Sequence, residues 1–233
     1  SSTGLYCNSI KNKCGDVKCL EGTSFGANSS HHLDDFFCEW STFGTDWCSD
    51  IESNRATNGS HTLSRPLCNF STSMTVDANV ALELVGSSFS PTVLSGMKST
   101  RFFYVLGQLT LVDLILMDGY HSANGGAFYV ANFGSKLHLL RSSVLECTAS
   151  DKGGAGYLTE SASLIMEEST LEQNRATFGG AIFADSGSNV KMVLGTTSYV
   201  RANSAKASGG GFRFEDEGTY LEINGTGTHL VIS

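Results

Sequence analysis

The sequence predicts an all-β fold: a right-handed parallel β-helix, or solenoid, beneath a disulfide-rich N-terminal cap. Three observations predict it. A glycine pair recurs every 26 to 30 residues, short alternating apolar segments lie between the pairs, and six of the seven cysteines crowd into the first 68 of 233 residues. Composition agrees, since Gly is 26 of 233, about 11% against a usual ~7%, while Pro is only 2. Charged residues at 16% beside 40% hydrophobic residues exclude a disordered chain.

The glycine pairs are Gly125-Gly126-Ala127-Phe128, Gly153-Gly154-Ala155-Gly156, Gly179-Gly180-Ala181-Ile182 and Gly209-Gly210-Gly211-Phe212. Five or six residues before each pair stands a second marker, read as Tyr120, Cys147, Asn174 and Asn203. Three residues before it comes an apolar residue, Met117, Val144, Leu171 or Val200, and two residues after it Ser122, Ala149, Ala176 or Ala205. A third marker follows each pair as Leu137/Leu139, Leu164/Met166, Val190/Met192 and Leu221/Ile223. Three apolar segments of three to five residues per period are too short for helices and read as strands. One period cannot bury its own apolar side, so the units must stack, each adding one strand to each of three parallel sheets ~4.8 Å apart. Strand crossovers are expected to be right-handed. The glycines suit a corner that needs positive φ or an approach too close for a Cβ. Asn174 and Asn203 then stack, where amides hydrogen-bond along the axis, and Cys147 fills the same slot as a buried free thiol.

Upstream, Val80/Leu82/Leu84, Phe102/Tyr104/Leu106 and Leu109/Leu111 alternate as strands of early coils without glycine pairs. Residues 51–57 echo residues 171–177 and read as a degenerate first coil. The division is a Cys-rich cap over 1–70 and β-helix repeats over 71–233, the cap closing an otherwise open end.

The paired GGA[ILVF] and Φ-x-x-N motifs, best in Leu171-Glu172-Gln173-Asn174 with Gly179-Gly180-Ala181-Ile182, resemble the repeats of the chlamydial polymorphic outer-membrane proteins. The resemblance covers residues 115–233 and implies a surface-displayed adhesive or structural solenoid. Met, Val or Leu replaces the leading Phe of that family's FxxN, and only two of four copies keep the Asn.

Cys7, Cys14, Cys19, Cys38, Cys48 and Cys68 read as three disulfides of a non-cytosolic protein, with 15 pairings open. Sequons at Asn28, Asn58, Asn69 and Asn224 agree with secretion and are expected to be exposed glycosylation sites. A formal charge of -8 with only 15 Lys and Arg argues against nucleic acid as a partner. The richest apolar run, 109–117, is broken by Thr110 and Asp113, which argues against membrane insertion.

Two candidate sites follow from the register. Tyr129, Tyr157, Phe183 and Arg213 align on an outward face, a ladder suited to sugar rings or a subunit contact, with Arg213 stacked on Phe183. At the next corner Asn132, Glu160, Asp185 and 215–217 follow one another. Glu160, Asp185 and Asp216 there are candidate calcium ligands, calcium being the one cofactor the sequence suggests, and the same carboxylates could serve a glycosidase. No Lys, Arg or His adjoins that corner in the sequence. The reading is a secreted, extracellular or cell-surface solenoid, structural or adhesive and not an enzyme; the alternative is a polysaccharide-binding or polysaccharide-cleaving enzyme. Phe212, Phe214, Leu221, Ile223 and Val231 lie behind an open strand edge, which predicts a homo-oligomer stacked end to end on the Cys-rich start.

Overall fold

A computed structural model of the chain describes residues 58–63, 66–87, 92–193 and 198–224, and the backbone alone of 7–8, 13–14 and 231–232. It divides into two compact units, Ser1–Asp46 and Trp47–Ser233. In the first, Cys7–Asn8 pairs antiparallel with Lys13–Cys14, and Cys7 lies opposite Cys14. The echo at residues 51–57 lies outside the described residues.

The second unit is a parallel β-solenoid of about six coils. Sheet 1 has six strands: Met74–Val76, Phe103–Val105, Phe128–Val130, Gly156–Leu158, Ile182–Ala184 and Phe212–Phe214. Sheet 2 has seven, beginning with Gly59–Thr62 and Ala81–Val85 and continuing through Lys136–Leu140, Ser163–Glu167 and Asn189–Val193 to Tyr220–Asn224. Sheet 3, also seven-stranded, runs from Leu67–Asn69 through Leu114–Met117, Ser143–Leu145 and Thr170–Glu172 to Val231–Ile232. The strands Gly59–Thr62 and Leu67–Asn69 pair in parallel with the next coil, so the solenoid begins before the boundary expected at residue 71. Among the described residues no helix is long and apolar enough to cross a membrane.

A fourth sheet of four short strands was not expected from the sequence: Tyr120–His121, Thr148–Ala149, Arg175–Phe178 and Ser204–Ser208. Its register also shifts the second marker by one residue. Tyr120 pairs with Thr148, so Gly119, not Tyr120, shares the slot of Cys147. Leu116 likewise replaces Met117 opposite Val144, and His121 replaces Ser122 opposite Ala149. Gly119, Cys147 and Asn203 each precede their glycine pair by six residues and only Asn174 by five, a difference taken up where register slips between Ala176 and Phe178.

The inward face is as the alternation requires. Leu137/Leu139, Leu164/Met166 and Val190/Met192 on sheet 2, and Phe128/Val130 and Ile182/Ala184 on sheet 1, are fully buried. In the early coil Phe103 and Val105 point inward, while Tyr104 and Leu106 are half-buried. The corners turn through left-handed residues in fixed rows, and the corner after sheet 1 has a second one, at Gly134, Ser161, Gly187 or Gly218. The rows are Asn132, Glu160, Ser186 and Asp216 after sheet 1; Asp113, Arg141 and Glu168 after sheet 2; and Asp118, Glu146, Gln173 and Ala202 after sheet 3. The first glycine of each pair supplies the fourth corner, at φ 63–72°. The second glycine has a different duty: a Cβ on Gly126, Gly154 or Gly180 would lie 2.1–2.2 Å from the carbonyl oxygen of the equivalent glycine one coil on.

Two polar ladders run through the stack. Asn174 Oδ1 accepts from Cys147 N at 2.9 Å, and Asn203 Oδ1 accepts from Asn174 N at 2.9 Å. The amides donate onward, Asn174 Nδ2 to Val144 O at 3.0 Å and Asn203 Nδ2 to Leu171 O at 2.9 Å. Cys147 continues the ladder with sulfur, Sγ accepting from Gly119 N at 3.3 Å. The second ladder, of serines, gave no sequence signal: Ser142, Ser169 and Ser198 each accept the backbone N–H of the preceding coil, at 3.1–3.3 Å.

Cys147 is a free, buried thiol. Burial pushes its pKa up from 9.0 to about 12, only partly offset by the Gly119 N–H. Because the folded value lies above the unfolded one, the stabilisation is whole below about pH 9 and declines as pH rises from 9 toward 12. Native protein at pH 8 is expected to leave Cys147 unlabelled by a thiol reagent, with labelling on denaturation. Peptide mapping checks this, and rapid native labelling would contradict the ladder.

Candidate functional site

The ladder exists in the predicted register, with Tyr129, Tyr157, Phe183 and Arg213 directly opposed on successive strands of sheet 1. Tyr104 extends it one coil earlier, which the sequence reading missed because that coil has no glycine pair to set the alignment. Ring centroids are 5.1 Å apart for Tyr104–Tyr129, 4.9 Å for Tyr129–Tyr157 and 5.7 Å for Tyr157–Phe183.

The expected exposed stripe is not what results. Tyr157 is 7% exposed and Phe183 0%. Cationic side chains lie across the rings: Arg101 sits 5.2 Å from the Tyr129 centroid and Lys152 4.3 Å from that of Phe183. Arg213 lies over Phe178 at 4.7 Å, nearer than its 5.9 Å to Phe183. The charged heads themselves lie over the ring faces, where the ring quadrupole attracts a cation. A sugar ring could reach the middle of this ladder only by displacing Lys152. Arg101 is itself 8% exposed and has no ion pair among the described residues, and desolvation pulls its pKa down to about 10.

The acidic corner divides into two rows. Glu160 and Asp216 occupy the left-handed position two coils apart, ~10 Å, with Ser186 between them. Asp185 sits one residue earlier, beside Glu215, and is buried. Tyr157 donates its hydroxyl to Asp185 Oδ2 at 2.7 Å, and Lys152 Nζ is 3.7 Å from the same oxygen and 3.9 Å from Glu215. Arg213 Nε donates to Glu215 Oε1 at 2.7 Å. The corner therefore does have cationic companions, contrary to the expectation, because Lys152 reaches it from the loop before the glycine pair. Burial first, then the bond to Asp185, raises the Tyr157 pKa. Asp216 Oδ2 accepts from Ser186 N at 3.2 Å and so ties one corner to the next. The three candidate calcium ligands do not converge, and among the described residues no group of three or more His, Cys, Asp or Glu is placed to hold a metal ion.

Asn58, Asn69 and Asn224 are exposed, and Asn58 Oδ1 accepts from Ala81 N at 2.7 Å. Asn28 lies outside the described residues. Cys68 is buried and disulfide-bonded. Cys19, Cys38 and Cys48 lie outside the described residues, and only the backbone of Cys7 and Cys14 is described.

A different concavity had no sequence signal. A groove of about 430 Å³ runs beside sheet 4, lined by Lys98, Gly119, Tyr120, Glu146, Thr148, Gln173 and Arg175. Glu146 and Gln173 come from adjacent left-handed corners, while Tyr120, Thr148 and Arg175 are register partners on sheet 4. Lys98 pairs with Asp118 at 3.4 Å. The other polar side chains of the groove form no hydrogen bond or ion pair within the described residues. They come from three successive coils, Tyr120 from one, Glu146 and Thr148 from the next and Gln173 and Arg175 from the third, so only stacking of coils assembles them. No protein-family model matches the chain, and neither a curated protein nor a solved structure matches it significantly.

Proposed function

We propose that the chain is a secreted, non-enzymatic structural or adhesive β-solenoid of an extracellular or cell-surface layer, associating end to end. The crossovers are right-handed in this reading, as nearly all parallel crossovers are. The six early cysteines form a disulfide cap, and the exposed sequons carry glycans. The resemblance of 179–182 to the repeats of surface-displayed polymorphic proteins supports the adhesive role.

The observation that carries the reading is an apolar surface on the coil of Phe212 to Ile223. Ile182, Ala184 and Val190 are fully buried, yet their partners Phe212, Phe214 and Leu221 are only half-buried. Tyr220 at 52% and Ile223 at 43% are exposed outright. Apolar side chains exposed on a sheet favour burial against another β surface. Sedimentation velocity over a concentration series tests this. Mass should grow with concentration and form rods in negative stain, and Ile223→Lys should lower the association. A monomer at every concentration overturns end-to-end assembly.

A further inference from the structure

We infer that the groove beside sheet 4 binds a neutral oligosaccharide. The inference rests on the adhesive part of the proposed function and names its ligand class. Tyr120, Glu146, Thr148, Gln173 and Arg175 line one concavity, and none of their side chains is engaged elsewhere in the described structure. The contrast with the rest of the surface is direct. Elsewhere charged register partners pair, Arg141 with Asp113 at 2.8 Å and Arg201 with Glu172 at 2.8 Å, whereas here the register sets Gln173 beside Glu146 and Thr148 beside Arg175, and both charges stay unpaired. A concave site with several uncommitted polar groups and one aromatic wall is the ordinary form of a small-ligand site.

Charge selects the class. Lys98 is neutralised by Asp118, and Glu146 offsets Arg175, so the groove has no net sign to hold a strongly charged ligand. Its groups are instead mixed: a carboxylate accepts, a guanidinium donates, and an amide and two hydroxyls do both. Vicinal hydroxyls of a sugar need this mixture, because each hydroxyl donates once and accepts from others. Rungs ~4.8 Å apart set these different groups in a row along the axis, which suits an extended chain. A peptide added as a strand is disfavoured, since Thr148–Ala149 and Arg175–Phe178 are paired on both sides within sheet 4 and the edge strand Tyr120–His121 already donates Tyr120 N–H to Thr100 O.

The test is a titration of the purified full chain by calorimetry with neutral, uronate and sulfated oligosaccharides. A neutral oligosaccharide should bind, and Gln173→Ala and Arg175→Ala, both at exposed positions, should each weaken it about tenfold without changing the melting temperature. Tyr120→Ala should do the same. Binding that survives both exposed-site variants places the ligand elsewhere and overturns the inference. So does binding confined to acidic sugars, or no saccharide binding at all. Because these variants leave Tyr220 and Ile223 untouched, self-association by sedimentation reports separately on the assembly reading.

Discussion

Gly154→Ala should destabilise the solenoid by about 3 kcal/mol or more, and is expected to disorder the coils on either side of the pair. The new Cβ would sit 2.1 Å from Gly180 O, 2.5 Å from Arg175 N and 2.7 Å from Arg175 C, all backbone atoms. Backbone cannot swing aside as a side chain can, and here it is fixed by Gly154 N donating to Gly179 O and Arg175 N donating to Cys147 O. Gly210→Ala is the internal comparison. It holds the same place in the repeat, but its Cβ would meet only Asn203 O at 3.3 Å, so a cost below about 1 kcal/mol is expected. Denaturant unfolding of the two variants checks the claim. Equal losses would show that the second glycine matters for its own conformation, not for the coil stacked against it.

The second large effect is at Asn174, where Leu should cost about 3–4 kcal/mol. Leu is close in volume, so the loss is one of hydrogen bonding: Cys147 N–H loses its acceptor and Val144 O its donor, both in a dry interior. Asn203 Oδ1 keeps the Asn174 backbone N–H but loses the side-chain donor at 2.9 Å. Each buried group left unpaired costs about 1–3 kcal/mol. Asn203→Leu should cost less, because Asn203 lies next to the half-buried last coil and is itself slightly exposed. Amide exchange gives a second readout: Cys147 N–H should lose protection in Asn174→Leu while the sheet 2 amides of Leu164 and Met166 keep theirs. An Asn174→Leu loss under 1 kcal/mol would mean that the amide ladder follows from the stacking and contributes little to it.

The sequence by itself determined the period, the parallel stack, the buried face and the slot of Asn174 and Asn203. These are legible because strand alternation and glycine spacing are local patterns, and every coil repeats them. The alignment of Tyr129, Tyr157, Phe183 and Arg213 was legible for the same reason, being counted from the adjacent glycines. Only the tertiary structure decided that Gly119 and not Tyr120 shares the slot of Cys147, since spacings of five and six before the glycine pair both fit the pattern and only the bulge after Ala176 shows that five belongs to the coil of Asn174 alone. Only it decided that Arg101 and Lys152 cover the ladder, that Asp185 parts from Glu160 and Asp216, and that Tyr120, Glu146 and Gln173 meet in a groove. Those outcomes depend on how far side chains reach across coils some 28 residues apart, and no pattern along the chain records that distance.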